Sequence, residues 1–243
     1  MYAIITPLHE EIKQLLPYLE IDITVHLHPG RIWHGRIGAQ EIIFARAGFG
    51  AHAMRDTARA CFHMFRPTDA LLLGFGGATT AELHQGDLVL ATEIFEQSSQ
   101  KIFTAPTETV SSGTTVASLA GMAAHPGRIV TTDTMITTPH EKTFLGTQCQ
   151  SLAVEMEGAA FAAEAAAAGI PWLVARTIYD PMDIALPENF IPFADDGVVS
   201  PWRVACALAR NPRILLRLPQ MYFAATKARQ MLTTFAKAWI NQH

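Results

Sequence analysis

Apolar residues along the chain alternate between short β-branched or aliphatic runs and longer segments in which they recur every three or four positions. The runs are "YAII", "ITVHL", "IIFARAG", "ALLLGFGG", "DLVLATEIF", "RIVTTD", "LAVEME" and "WLVARTIYD". Short runs of this kind, bounded by glycine, proline or polar residues, read as strands. Between several of them lie "PLHEEIKQLLPYL", "AHAMRDTARACFHMF", "PHEKTFLGTQ" and "GAAFAAEAAAAG", whose apolar spacing reads as helix. Strands alternating with helices predict an α/β architecture, a mixed or largely parallel central sheet flanked by helices. Gly30, Gly35 and Gly38 punctuate "GRIWHGRIGAQEIIF", which reads as an antiparallel hairpin attached to that sheet. Near the C-terminus Met221, Ala224, Ala228, Met231, Leu232, Phe235 and Trp239 recur at helical spacing, with Lys227, Arg229 and Lys237 between them, and predict an amphipathic helix.

Composition narrows this picture. With 243 residues and no linker or repeat, the chain is expected to form one domain, residues 1–243, carrying a basic helical extension from about residue 200. Three widely spaced cysteines (Cys61, Cys149, Cys206) outside any CxxC pattern point to neither a disulfide framework nor a zinc ribbon, and a reducing cytoplasm fits them. "MYAIITPLHEEIK" lacks the basic start and small-residue cleavage pattern of a signal peptide. All 22 acids lie in residues 1–196, whereas residues 197–243 hold seven of the 18 Lys and Arg and no acid. The basic tail is expected to cover the core or a subunit contact; the alternative is a surface that meets an anionic membrane. Nucleic acid is not expected as a partner, because the overall balance is acidic and no binding motif is present.

In α/β sheets ligands gather at the carboxyl ends of strands. Four such ends carry chemistry. "ITPLHEE" places Glu10 and Glu11 at the start of a helix. "ARAGFGAHA" sets Arg46, Gly48 and Gly50 between a strand and a helix, and "LLLGFGGA" is expected to do the same with Gly74, Phe75, Gly76, Gly77 and Ala78. Such glycines let backbone approach a ligand and free helix N–H groups to face it. The fourth comprises two late strand ends, "VEMEG" and "RTIYD", with Glu155, Met156, Glu157, Tyr179 and Asp180.

Two other patterns compete. Gly48, Gly50 and Ala53 satisfy G-x-G-x-x-A with Asp69 about 20 residues on, as a dinucleotide fingerprint requires. However, the strand that should lead such a domain has no glycines after it, and Asp69 precedes "ALLL" rather than ending it. His26 and His28 share a strand face, but no third ligand stands at a metal-binding spacing, so no metal is expected. The loop serines lack G-x-S-x-G, which removes support for an acyl-transfer hydrolase.

Together these residues resemble the purine nucleoside phosphorylase and nucleosidase superfamily, in particular its methylthioadenosine/S-adenosylhomocysteine nucleosidase branch. "VEMEG" resembles that branch's V-E-M-E, and "RTIYDPMD" its R-A-I-S-D-x-A-D, with a matching 23-residue interval from Glu157 to Asp180. "GFGGA" followed by "GDLVL" resembles G-S-A-G-G and G-D-I-V-V, and "HEEI" resembles E-E-E-V. The resemblance covers most of the first 185 residues and implies a three-layer fold of mixed sheet and helices, found in homo-oligomers with sites near subunit contacts. It implies that Glu157 accepts hydrogen bonds from ribose hydroxyls, Met156 packs on the sugar and Asp180 protonates purine N7. An Asp there points to 6-amino purines such as adenine. Gly74 to Ala78 would line the base and water side, and Met135 with Ile136 the apolar bed of the ring. No cofactor is implied beyond phosphate as a co-substrate in a phosphorylase.

The chemistry explains the acids. Breaking a purine N-glycosidic bond develops positive charge on the ribose and negative charge on the base, so the leaving group needs a proton and the sugar needs oriented acceptors. Taken alone, Glu155 and Glu157 could merely favour a helix N-terminus and Asp180 could cap a turn. The ordered motifs favour function for Glu157 and Asp180 and leave both readings open for Glu155. Glu11 matches the nucleosidase glutamate that activates water. A phosphorylase would instead require cations for its phosphate, and Leu72 stands where several relatives carry arginine. Hydrolysis is therefore expected, with Arg46 and Arg176 as the residues that could still meet an anion. Tyr179, Phe75 and Gly76 depart from the nucleosidase pattern. "TTPHEK" and "NPRILLRLPQMYFAATKAR" resemble the hopanoid-associated phosphorylase-like members, which act on an adenosyl group bearing a long apolar chain. A non-catalytic nucleoside binder is a further alternative, opposed by the presence of a leaving-group acid.

Overall fold

The aliphatic runs become strands and the periodic segments become helices because each then buries one apolar face. This computed structural model describes residues 1–186, 198, 200–210 and 214–242. The first strand, β1 (Tyr2–Thr6), is buried along its whole length and pairs in parallel with β4 (Gln40–Arg46) on one side and β5 (Ala70–Ala78) on the other. The expected hairpin is β3 (Arg31–Ile37) against β4, extended by β2 (Glu20–His26) at the edge.

Beyond β5 the sheet closes on itself. β5 runs parallel to β10 (Trp172–Asp180), β10 antiparallel to β6 (Leu88–Glu96), β6 parallel to β8 (Ala124–Thr131), and β8 parallel to β9 (Ala153–Glu155). β9 then returns antiparallel to β5, pairing Gly77 with Val154. A short β7 (Lys101–Thr104) hangs from β6. The mixed sheet expected from the sequence is thus present, with the C-terminal ends of β5, β9 and β10 drawn into one ring.

Strand alternation sorts the core into two layers. Ala3, Ile5, Ile43, Ala45, Leu72 and Val174 face α2 (Ala51–Phe65) and the alanine-rich α5 (Gly158–Ala168), which contribute Met54, Phe62 and Phe161. Tyr2, Ile4, Phe44, Leu71, Leu73, Leu173 and Ala175 face α3 (Thr107–Leu119) and the last helix, α7 (Ile214–Gln242), through Val116, Leu232, Phe235 and Trp239. Helices therefore cover both faces. The inward stripe of α7 is the one read from the sequence, and it covers the core as expected. α6 (Pro201–Arg210) precedes it and buries none of its residues; residues 211–213 lie outside the described set.

Two expectations fail. "PLHEEIKQLLPYL" yields only α1 (His9–Ile12) and a one-turn 3-10 helix, Leu16–Tyr18. Pro17 supplies no N–H to continue a helix, and the Glu11 carboxylate turns back to the Leu8 amide. "LLLGFGGA" does not open a helix either: Gly74 to Ala78 remain inside β5. Their glycines serve packing across the sheet, since a Cβ on Gly74 would stand 1.6 Å from Arg176 Nη1. Phe235 is fully buried between α7 and the sheet. Phe235→Ala should therefore cost about 3–5 kcal/mol of unfolding free energy in urea; a loss well under 1 kcal/mol would show that α7 does not seal this layer.

Candidate active site

Three acidic strand or helix ends, far apart in sequence, meet in one cavity of about 650 Å³. Glu11 enters from α1, Glu155 ends β9 with Glu157 two residues on, and Asp180 ends β10. Met135, Ile136, Met156, Phe75, Gly76, Gly77 and Tyr179 also line it. The Phe75 and Tyr179 rings lie 6.0 Å apart. Gly74 lies behind this lining, and Gly48, Gly50 and Arg46 are outside it. Gly50 reaches the site through its amide, at a φ of +91° that favours glycine. Arg46 does not line the cavity. It ends β4 opposite Thr6 and Arg31, separated from β5 by the whole of β1.

Arg176 supplies the cation instead. Fully buried on β10, it donates to Glu155 and lies 3.4 Å from Glu157 Oε2. Burial disfavours its charge, but Glu155, Glu157 and Glu11 outweigh that and raise its pKa. Its Nη1 has no hydrogen-bond partner and occupies the space left by the missing side chain of Gly74. The Oε1 of Glu11 lies against the same glycine.

The carboxylates differ in their surroundings. Glu155 is saturated: Oε2 accepts from the amides of Glu157 (2.9 Å) and Gly158 (2.7 Å) and from Arg176, and Oε1 accepts from the Thr131 hydroxyl. Its contacts cap α5 and anchor Arg176. Glu11 accepts the Leu8 and Phe75 amides, both at 2.8 Å. Burial nevertheless pushes it up to about 8, against the pull of Arg176 and those amides and with help from Glu157. Glu157 accepts the Gly50 amide at 2.9 Å and is pushed up to about 7, by burial first, with Arg176 opposing and Glu155 adding. Asp180 is pushed up to about 6 by burial, held back by Lys142.

Lys142 was not foreseen. It lies in α4 (Pro139–Cys149), fully buried, with Nζ 2.5 Å from Asp180 Oδ2. The signal was the i, i+3, i+7 spacing of Lys142, Leu145 and Cys149, which marks the buried face of that helix. Among the described residues no group of three or more His, Cys, Asp or Glu is placed to hold a metal ion, and His26 is exposed.

The Phosphorylase superfamily profile matches residues 1–209, most of the chain. The chain belongs to this superfamily. Among curated members, the 5'-methylthioadenosine/S-adenosylhomocysteine nucleosidase of Aeromonas salmonicida is 25% identical over 210 residues, 79% of this chain and 91% of that protein. The solved nucleosidase of that name from Neisseria meningitidis, in complex with methylthio-immucillin-A, aligns over 97% of this chain and 98% of its own at a TM-score of 0.73 and 17% identity. The futalosine hydrolase of Helicobacter pylori aligns over 97% of each chain at 0.72 and 19%. At such identities the structural likeness establishes the fold, which is that of the superfamily.

In this superfamily member the tightest fit in the site is Gly74 against Arg176. Gly74→Ala should displace the guanidinium and cost about 1–3 kcal/mol, read from urea unfolding. Unchanged stability would mean that Arg176 has room to spare.

Proposed function

We propose that this protein hydrolyses the N-glycosidic bond of an adenine-type nucleoside. The observation that carries the proposal is the convergence of Glu11, Glu157 and Asp180, with Arg176 behind them, on one cavity. Asp180 is the leaving-group acid at purine N7. Burial gives it a proton affinity far above that of an exposed carboxyl, as an acid working near neutrality requires. Glu157 accepts the ribose hydroxyls, Met156 packs on the sugar, and Phe75, Met135, Ile136 and Tyr179 form the apolar bed of the base. Glu11 takes the proton of the attacking water, and Arg176, behind the lining, offsets the carboxyl groups there.

Water is favoured over phosphate by the charge balance. The nucleophile side holds Glu11, Glu155 and Glu157 against one arginine already engaged by two of them. The other cations of the lining, Lys13 and Arg229, both approach Glu10. Among the described residues a phosphate dianion would meet only cations already paired with glutamates. The names of the nucleosidase relatives support the same reaction.

Val204, Leu218, Met221, Tyr222 and Ala225 of α6 and α7 give one wall of the cavity an apolar character suited to an apolar 5' substituent. Trp202, Leu216 and Phe223 on the same helices are 76%, 83% and 70% exposed, in a segment without a single acid. This patch is read as a contact with an anionic bilayer. Co-sedimentation with vesicles containing anionic lipid, abolished by Trp202→Glu and Leu216→Glu, is expected. A salt-insensitive dimer in which the same patch is buried would replace the bilayer with a second copy of the chain.

A panel of adenine nucleosides incubated with and without phosphate should release adenine and free sugar in both cases. Phosphate-dependent appearance of a ribose 1-phosphate would overturn hydrolysis, and absence of any base release would leave a binder. Asp180→Asn should lower kcat by about 100- to 10,000-fold with the fold retained, and Glu157→Gln should raise KM and lower kcat together. Wild-type turnover in either variant removes that residue from its role.

The pH dependence follows from the same groups. Glu11 and Glu157 act ionised and lose that form as pH falls through about 8 and about 7; Asp180 acts protonated and loses its proton as pH rises through about 6. The productive form is a minority species, and kcat/KM should peak between about pH 6 and 8 and fall on both sides. A rate that climbs steadily to pH 10 would contradict the assignment of Asp180.

A further inference from the structure

We propose that Lys142 is the positioning residue for the leaving-group acid: its ammonium fixes the Asp180 carboxyl over the cavity and stabilises the carboxylate that remains once the proton has gone. This rests on the reading of Asp180 given above. The geometry is specific. Lys142 Nζ donates to the carbonyls of Ile184 (2.7 Å) and Pro181 (3.0 Å) and lies 2.5 Å from Asp180 Oδ2. Two of its protons thus go to carbonyls of the segment just after Asp180, and its charge stands against the Asp180 carboxyl as an ion pair. The lysine side chain is 0% exposed and the aspartate side chain 8%.

A buried lysine is expensive unless paired and hydrogen-bonded, and here both conditions are met. Two carbonyl anchors hold the ammonium in place whether or not Asp180 carries a proton. When the C–N bond breaks, its electron pair stays with the purine, the Asp180 proton moves to N7, and Asp180 becomes an anion in a dry site. Lys142 keeps its protons and faces that anion. Without it, burial alone would make Asp180 a much weaker acid. Among the described residues the other neighbours of the carboxyl supply no positive charge: β5 presents the Gly77 backbone, with Oδ2 3.0 Å from where a Cβ would stand, and β10 presents the Tyr179 phenol, whose pKa is raised by burial and further by Asp180.

The test is a carbon-13 titration of the Asp180 carboxyl, assigned with Asp180→Asn, in the unmodified chain, Lys142→Met and Lys142→Gln. Loss of an opposite charge at this distance should raise the Asp180 titration by about 1–3 pH units in both variants, and the kcat/KM optimum should move to higher pH with it. A purely structural lysine would change thermal stability and leave the titration where it was, and that result overturns the proposal. Should neither variant fold, the nitrogen-15 resonance of the Lys142 ammonium in the unmodified chain decides. It should shift as Asp180 titrates and lose that shift in Asp180→Asn; a resonance blind to Asp180 refutes the pairing. These titrations need no turnover. If the unmodified chain releases no base, the functional reading fails while the pairing is still measured.

Discussion

One buried guanidinium makes the site possible. Glu11, Glu155 and Glu157 are each at most 6% exposed, and three carboxylates in so dry a place repel one another and the low-dielectric interior. Arg176 sits among them because β10 runs beside a strand that has no side chain at Gly74. The apolar run that forms β10 therefore carries, at its fifth residue, the charge that offsets residues from α1, from the end of β9 and from the segment after it. Removing one partner from such a cluster is far more costly than replacing all of them, which ties the fold to the chemistry.

The site has two charge centres with different surroundings. Around Arg176 the carboxyl groups are held by amides of Leu8, Gly50, Phe75, Glu157 and Gly158, so the loops after β1, β4 and β9 and the backbone of β5 are all fastened to that cluster. Around Lys142 a single carboxyl faces the cavity, with its proton affinity set by burial against one ammonium. Closure of β5, β10, β6, β8 and β9 into a ring brings both centres to one side of the sheet.

Much of this could be read from the sequence, for identifiable reasons. Acids directly after apolar runs, as at Glu157 and Asp180, announce strand ends that open onto a cavity, and the register of β5, β9 and β10 delivers them to the same one. The inward stripe of α7 was legible because its 3.6-residue period is unbroken from Ala224 to Trp239. The Gly74–Ala78 stretch was misread because glycines after an aliphatic run look the same whether the chain turns or a neighbouring side chain needs room. Only the pairing with β10 shows that Arg176 takes the space. Lys142 shares the buried-face spacing of Leu145 and Cys149, but its acidic partner lies 38 residues away and no local pattern links the two. Glu155, open between two roles, makes contacts that are internal to the Arg176 cluster.

The dependence on Arg176 is most directly measured by the pH dependence of stability in Arg176→Met. Glu11 and Glu157 have folded-state pKa values raised to about 8 and about 7, so the stability they favour is present at low pH and is lost as pH rises through those values. Without the guanidinium these pKa values must rise further. The gap in unfolding free energy between the unmodified chain and Arg176→Met, from urea titrations, should stay level from pH 5 to about 7, where both glutamates are protonated in either folded chain, and widen as pH rises through about 7 and about 8. A gap that is the same at every pH would show that Arg176 fills space without holding the carboxylates, and the account would fail at its centre.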